Sequence, residues 1–145
     1  MIKHYLGIVI GPVFGTLLNA RKTRELWAAS FLFSFFMRRI MYHLVRDGVI
    51  KEDDILLSNM SRFFDYTQED DYGKWKRGKE KYEGFETTGA GLFPDNLIAA
   101  IDDPNEDKVR NSISKAKKDI ISLIGEKHED FILSYLQVHY VVHQV

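Results

Sequence analysis

The sequence predicts one α+β domain in which a single antiparallel sheet carries two helices on the same face. Three observations support this class. The chain has 145 residues, a length that favours one compact core. Short apolar runs alternate along it with two long segments of helical periodicity, and turn-forming residues separate these segments. Hydrophobic residues make up 45% and charged residues 28% of the chain, which is typical of a folded globular protein.

The first strand is predicted at residues 5–10, where a β-branched run ends at Gly11-Pro12. A long helix follows from Thr23 to the stop signal Asp47-Gly48, because apolar residues recur there at spacings of three and four. One apolar face carries Leu26, Ala29, Phe33, Phe36, Ile40 and Leu44, and a second carries Ala28, Leu32, Phe35, Tyr42 and Val45. This is more apolar surface than one sheet face covers, so burial within the domain and docking of a neighbouring domain are both open.

The central part of the chain contains two short predicted strands, at residues 55–58 and 96–102, both bounded by turn formers. Residues 59–95 lie between them. This segment is too long for a plain loop, so it is predicted to be an insertion in the hairpin that joins the two strands.

The second helix has clear boundary signals. We predict Asp103 as its N-cap, Pro104 as its first residue and Glu106 as the third residue after the cap, with Gly125 ending the helix. Its apolar stripe consists of Val109, Ile113, Ala116, Ile120 and Ile124. The last strand is predicted from the alternation of apolar and polar residues over 136–143.

The order strand, helix, strand, strand, helix, strand is that of the ferredoxin-like split βαβ fold. Residues 1–145 are therefore predicted to form a single domain of this fold, with insertion 59–95 between the second and third strands.

Composition excludes several classes of function. The formal net charge is −1, so any nucleic-acid contact must come from a local patch. The absence of cysteine excludes disulfides, thiolate zinc sites and cysteine nucleophiles, and it fits a cytoplasmic protein. The most apolar stretch, residues 26–37, is shorter than the about 20 residues that a membrane-spanning helix needs, so no membrane association is predicted.

The same topology forms the palm of nucleotidyl polymerases and cyclases, where carboxylates on the sheet hold two metal ions about 4 Å apart. The first predicted strand carries no acidic residue, so the first ligand is missing. Asp70-Asp71 is an acidic pair in the insertion, but no Gly-Gly turn precedes it. We therefore predict no metal site and no catalytic residue in this chain. A free-standing cyclase that uses Asp70 and Asp71 is the alternative.

The histidines are predicted to be structural or surface residues. No histidine has an aspartate partner that the sequence reveals, and none has zinc-type spacing. They are His4, His43, His128, His139 and His143.

Two basic clusters are candidates for binding anions or nucleic acid. Arg21, Lys22 and Arg24 lie at the start of the first helix, where free backbone N–H groups favour phosphate. Solvent exposure, or bridges to acids such as Glu25, is the alternative. The second cluster combines basic and aromatic residues as single-stranded RNA sites do, although acidic neighbours leave a solvated insertion as the alternative. Its members are Lys74, Trp75, Lys76, Arg77, Lys79 and Lys81.

A run near the N-terminus resembles the start of the large, polymerase-like subunit of type III-B CRISPR effector complexes. In that family a strand ending in Gly-Pro-Val leads to Ala-Arg-Lys-Thr-Arg-(Asp/Glu)-Leu-Trp, followed by two small residues and a Ser-containing apolar run. This sequence matches at Gly11, Pro12, Arg21, Lys22, Arg24, Trp27, Ser30 and Ser34. Residues 92–99 resemble a later family element, with Asp95-Asn96 in place of Asn-Arg.

The resemblance implies that this chain is the first palm domain of a larger subunit that acts in antiviral defence. Family members make cyclic oligoadenylate from ATP, using a Gly-Gly-Asp-Asp motif in a second palm that this chain lacks. It is therefore expected to be non-catalytic, with ATP and Mg²⁺ bound only by the full-length subunit. The expected partners are the second palm, the other effector subunits and, indirectly, guide and target RNA.

The resemblance also yields candidate contact residues. We expect nucleotide or interface contacts from Arg21, Lys22, Arg24, Trp27, Ser30 and Ser34, because a cationic helix start beside a small hydroxyl suits phosphate. Two other functions remain open: a stand-alone nucleotide cyclase, and a small adaptor that binds single-stranded RNA through residues 74–81.

Overall fold

A computed structural model describes residues 3–57 and 94–145. Its strands are β1 (His4–Gly11), β2 (Ile55–Leu57), β3 (Asn96–Ile101) and β4 (Gln137–Gln144). Its helices are α1 (Val13–Asn19), α2 (Thr23–Arg46), α3 (Glu106–Ile124) and α4 (Glu129–Tyr135), and short 3-10 turns lie at Glu52–Asp54 and Glu126–His128. Almost all of the predicted insertion 59–95 lies outside the described residues.

The four strands form one sheet in the order β2-β3-β1-β4, and each pair of neighbours is antiparallel. A four-stranded antiparallel sheet beside two long helices confirms the predicted α+β class and agrees with a ferredoxin-like palm. None of the helices in the described part of the chain is both long enough and apolar enough to span a membrane.

The sheet has one covered face and one open face. Leu6, Ile8 and Ile10 of β1 are buried together with residues of α2 and α3 in one hydrophobic core. The alternate residues point the other way, because successive side chains of a strand lie on opposite faces. Accordingly Val9 is 51% exposed, and Val141 of β4 is 60% exposed on the same open face.

The apolar surface of helix α2 is covered in the C-terminal half of the helix and exposed in its first turns. In its C-terminal half both apolar faces are covered, with Phe36 and Ile40 fully buried and Tyr42 almost so. In its first two turns Leu26 and Trp27 stay exposed. Among the described residues, the apolar side chains of the C-terminal half are therefore covered within the domain, and those of the first two turns are available to a partner.

The start of α3 corrects the predicted cap. Asn105 is the N-cap, since its side-chain oxygen accepts hydrogen bonds from the backbone N–H groups of Asp107 (3.1 Å) and Lys108 (3.2 Å). Asp103 instead accepts a hydrogen bond from the Lys108 ammonium at 3.1 Å. The prediction was wrong by two residues because Asn caps a helix as well as Asp does, so side-chain type could not choose between them.

The C-terminal end of α3 agrees with the prediction at Gly125 but not at Ile124. Gly125 ends the helix, with a φ of 118° that other residues rarely adopt. Ile124, predicted to complete the buried stripe, is 42% exposed, because it lies on the last turn beyond the covered part of the helix.

Helix α1 was not predicted, since seven residues with Gly15 in the middle are too few to show periodicity. It is attached to α4 at the same end of the sheet. The Thr16 hydroxyl shares hydrogen bonds with the carbonyl of Pro12 and with the hydroxyl of Tyr135. Helix α4 ends at Tyr135 with Leu136 as its C-cap, so β4 begins one residue later than the strand predicted over 136–143.

Candidate functional site

The basic helix start predicted from the sequence is exposed, but the backbone groups beside it are already engaged. Arg21, Lys22 and Arg24 all face solvent. One carboxylate oxygen of Glu25 accepts the backbone N–H of Arg21 at 2.7 Å and that of Lys22 at 3.3 Å. A phosphate in this position would therefore contact the basic side chains, because Glu25 occupies these two N–H groups.

The remaining predicted contact residues of α2 do not share one surface. Trp27 is 62% exposed, Ser30 is half-buried and Ser34 is buried in the core. Arg21, Arg24 and Trp27 are thus accessible to a partner in this structure, whereas the Ser34 hydroxyl is enclosed. One helical turn separates the two serines, and the core begins between them.

Three neighbouring helices place large apolar side chains in solvent at one end of the sheet. We call Phe14 and Leu18 of α1, Trp27 of α2 and Phe131 of α4 the apolar patch; each is more than half exposed. Helix α1 packs against α2, and the hydrogen bond between Thr16 and Tyr135 joins α1 to α4. Phe131 stacks on Tyr135 with ring centroids 5.1 Å apart. The patch adjoins the basic helix start, which lies between α1 and α2.

The open face of the sheet is a second exposed surface. Its centre is a row in which Gly7 lies between Ile98 of β3 and Val141 of β4. A Cβ atom at Gly7 would approach the Val141 side chain to 3.4 Å, so this row of the open face is closely packed beside the glycine. Exposed acidic side chains do not lie on the described outward positions of β1 and β3, which carry Tyr, Gly, Val, Asn, Ile and Ala.

His139 and His143 lie on this open face of β4. They are four residues apart, about 13 Å along an extended strand, which is too far for both to bind one metal ion. Within residues 3–57 and 94–145 no three or more side chains of the metal-binding types are grouped so as to hold an ion. Asp70 and Asp71 lie outside the described residues.

A buried ionic cluster joins α2 to α3. One carboxylate oxygen of Asp119 lies 2.6 Å from Arg39 Nε and 2.7 Å from His43 Nε2. The Arg39 guanidinium also lies 4.3 Å from the centre of the Tyr42 ring. Burial alone would raise the pKa of Asp119, but the hydrogen bonds from His43 and Arg39 outweigh it, so the pKa lies below its ordinary value.

The cluster corrects the prediction that no histidine has an aspartate partner. His43 and Asp119 are 76 positions apart in the sequence. The available signal was the spacing of Arg39 and His43, which places both on one face of α2, within a segment that the sequence predicts to be largely apolar. Nothing in the sequence pointed to Asp119 as that acid.

A second polar contact fixes the C-terminal end of α2. Asp47 accepts hydrogen bonds at 2.7 Å from both the Ser112 hydroxyl and the Lys115 ammonium of α3. Burial tends to raise the pKa of Asp47, but these two hydrogen bonds outweigh it and the pKa is lowered. Both clusters join α2 to α3 and include none of the patch residues, so we assign them a structural role.

The second basic cluster lies outside the described residues. It comprises Lys74, Trp75, Lys76, Arg77, Lys79 and Lys81. Its predicted RNA contact therefore stays a prediction.

Comparison with known proteins identifies the family. The sequence profile of a family described as "CRISPR-associated protein Cmr2, N-terminal" matches residues 5–126. This range runs from β1 past the end of α3 and includes the Gly11-Pro12 and Arg21-to-Ser34 motifs. No curated protein matches the chain. Because the profile covers most of the chain, this protein belongs to the family of N-terminal Cmr2 domains, the first part of the large subunit of type III-B CRISPR effectors.

Proposed function

We propose that this chain is the non-catalytic first palm of the effector's large subunit and that it acts by docking. Its partners are the second palm, where cyclic oligoadenylate is made from ATP, and neighbouring effector subunits. The single observation that carries the proposal is the apolar patch of Phe14, Leu18, Trp27 and Phe131 beside an exposed basic helix start.

The composition of the patch supports a protein interface. Isolated apolar residues on a surface need no explanation, but a group on adjoining helices indicates an interaction site. The residues that supply most of the binding energy in protein interfaces are enriched in aromatic side chains and arginine. Here three of the four patch residues are aromatic, and Arg21 and Arg24 are exposed close to Trp27.

The open sheet face supports the non-catalytic part of the proposal. A polymerase or cyclase palm holds its metal ions with carboxylates on the sheet. The outward positions of β1 carry Tyr5, Gly7 and Val9, and none of these can ligate Mg²⁺ through a carboxylate. ATP and Mg²⁺ would then be bound by the full-length subunit, with this chain forming one wall of the pocket.

The nucleotide contacts that we propose are side-chain contacts. Arg21 and Arg24 would approach the phosphates, and Ser30 would lie at the edge of the pocket. The exposure of both arginines supports this arrangement. Because Glu25 engages two backbone N–H groups, the helix terminus contributes less than the guanidinium groups do.

Replacement of two patch residues tests the docking. In the full-length subunit, the double variant Phe14→Asp and Trp27→Asp should reduce co-purification with the other effector subunits by about tenfold or more, because charged groups would be buried in the interface. Both side chains are exposed, so thermal unfolding of the variant should be unchanged. The matched control is Leu56→Asp, on an exposed β2 residue outside the patch. Normal assembly of the double variant would contradict the proposal.

A second experiment tests whether this chain alone converts ATP into a product. The 145-residue chain is incubated with ATP and Mg²⁺, and the products are separated by chromatography. We expect unchanged ATP. Cyclic product that disappears in an Asp70→Asn and Asp71→Asn variant would replace our proposal with that of a free-standing cyclase.

A further inference from the structure

Strand β4 ends the sheet on one side, and within residues 3–57 and 94–145 no strand pairs with its outer edge. Its inner edge pairs with β1, and the strand is eight residues long. Edge strands normally carry charged residues or proline, because their free N–H and C=O groups can pair with another chain. The sequence of β4, Gln-Val-His-Tyr-Val-Val-His-Gln, contains no lysine, arginine, acidic residue or proline. Such a strand favours pairing with another strand.

The register shows which residues of β4 have free backbone groups. The N–H of Val145 donates to the carbonyl of Lys3 at 2.9 Å, so odd-numbered residues of β4 pair with β1. The even-numbered residues therefore direct their N–H and C=O groups outward. These are Val138, Tyr140, Val142 and Gln144. Within the described part of the chain, no hydrogen bond reaches these outward backbone groups.

We infer that β4 pairs with the β4 strand of a second copy of this chain, in antiparallel orientation, with Val141 opposite Val141. In this register Tyr140 lies opposite Val142, and Val138 lies opposite Gln144. Every outward N–H and C=O group of both strands then has a partner. The two sheets join into one sheet of eight strands, with all helices on one face.

Neighbouring registers are less suitable. A shift by one residue would place the open face of one copy on the helix side of the other, because side chains alternate between faces. With Tyr140 opposite itself, Gln144 would lie opposite Leu136, which is outside the strand at the C-cap of α4. The proposed register also sets an aromatic residue opposite a β-branched one, a pair that stabilises sheets.

The pairing brings histidines of the two copies together on the open face. His139 of each copy lies directly opposite His143 of the other, with Cβ atoms about 4.5 to 5.5 Å apart. Within one chain these histidines are too far apart to share an ion. Across the dimer each pair of imidazoles can bind one Zn²⁺, with water completing the coordination. Zinc is therefore a probe of this register.

The experiment measures self-association of the 145-residue chain by sedimentation velocity over a concentration series, at about pH 8 because Zn²⁺ binds neutral imidazole. We expect a monomer–dimer equilibrium that Zn²⁺ tightens by about tenfold or more and that EDTA restores. His143→Ala should abolish the zinc effect, whereas His128→Ala, which is exposed but outside β4, should retain it. A monomer at all concentrations, or a dimer indifferent to zinc, would overturn the inference.

Two lysine variants separate edge pairing from contact through the open face. Val141→Lys places like charges opposite each other at the centre of the pairing, so the dimer dissociation constant should rise by about tenfold or more. Val9→Lys is the matched control on the same open face, one strand inward, and should leave the dimer intact. Equal loss in both variants would place the contact on the open face and exclude edge pairing.

A third variant covers the case in which Val141→Lys misfolds. The N–H of Gln144 points outward, so Gln144→Pro removes an edge donor without breaking a hydrogen bond to β1. Circular dichroism verifies its fold, and it too should weaken the dimer. The patch on α1, α2 and α4 contains no residue of β4, so failure of this inference leaves the proposed docking function untouched.

Discussion

At the scale of single residues, the carboxylates of Asp47 and Asp119 form the polar contacts that join α2 to α3. Asp119 and Arg39 are both largely enclosed, at 14% and 7% side-chain exposure. A buried charge is costly unless it is paired, and here one carboxylate is satisfied by Arg39 and His43 together. The two helices are therefore held in one relative orientation by a contact that does not tolerate the loss of one partner.

Asp119→Ala should lower the free energy of unfolding by roughly 3 kcal/mol, because Arg39 would remain buried without its partner. Chemical denaturation measures the change. Asp102→Ala is the control, since it removes the exposed ion pair with Lys51 and should have no measurable effect. An equal loss of stability in both variants would contradict the proposal that the buried Asp119 contact stabilises the fold more than an exposed ion pair does.

The same carboxylates determine how stability depends on pH. The pKa values of Asp47 and Asp119 in the folded chain lie below the ordinary value of 3.8. Both groups therefore stabilise the fold above that pH, and their contribution is lost as pH falls toward the lower folded values, because protonation then favours the unfolded chain. The melting temperature should decrease as pH falls below about 4. The decrease should be shallower in Asp119→Asn, and a slope identical to that of the unmodified chain would contradict this assignment.

At the scale of elements, α2 combines two roles along its length. Its C-terminal half carries the core and the ionic cluster, while its first two turns carry Trp27 and the exposed arginines. Helical periodicity is the same in both halves, so apolar spacing alone cannot distinguish them. The difference arises from what packs alongside: α3 covers the second half, and α1 contacts the helix without burying its first turns.

The N-cap of α3 gives a prediction at this scale. Asn105→Ala should cost about 1 kcal/mol of unfolding free energy, because the N–H groups of Asp107 and Lys108 lose their acceptor. Asp103→Ala should cost clearly less, since Asp103 forms only an exposed ion pair with Lys108. Thermal or urea denaturation of the two variants compares them. A larger loss of stability in Asp103→Ala than in Asn105→Ala would contradict Asn105 as the N-cap and support Asp103, the cap that the sequence predicts.

At the scale of the whole molecule, the exposed surfaces are separate and suit different partners. The apolar patch lies at the end of the sheet where α1 and α4 meet, and three of its four residues are aromatic. The outer edge of β4 offers backbone N–H and C=O groups for hydrogen bonds with another strand. Packing explains why the β4 edge and the open face are exposed, since α2 and α3 cover the other face of the sheet and the described elements do not cover these two surfaces.

Local patterns in the sequence were enough for the strands, for the bounds of α2, for the end of α3 at Gly125 and for family membership. Each of these depends on neighbours within about one or two turns, or on a contiguous motif. The choice between Asp103 and Asn105 as cap, and the existence of α1, were not accessible, since the competing options differ locally by little.

The amino-acid order thus establishes the α+β class, the family and the candidate basic residues. The tertiary structure determines which candidate residues are accessible to a partner. Ser34 is enclosed and Trp27 is exposed. Glu25 accepts the backbone N–H of Arg21, and His43 is paired with Asp119. These outcomes depend on contacts between residues far apart in the chain, and periodicity carries no information about which distant side chains become neighbours.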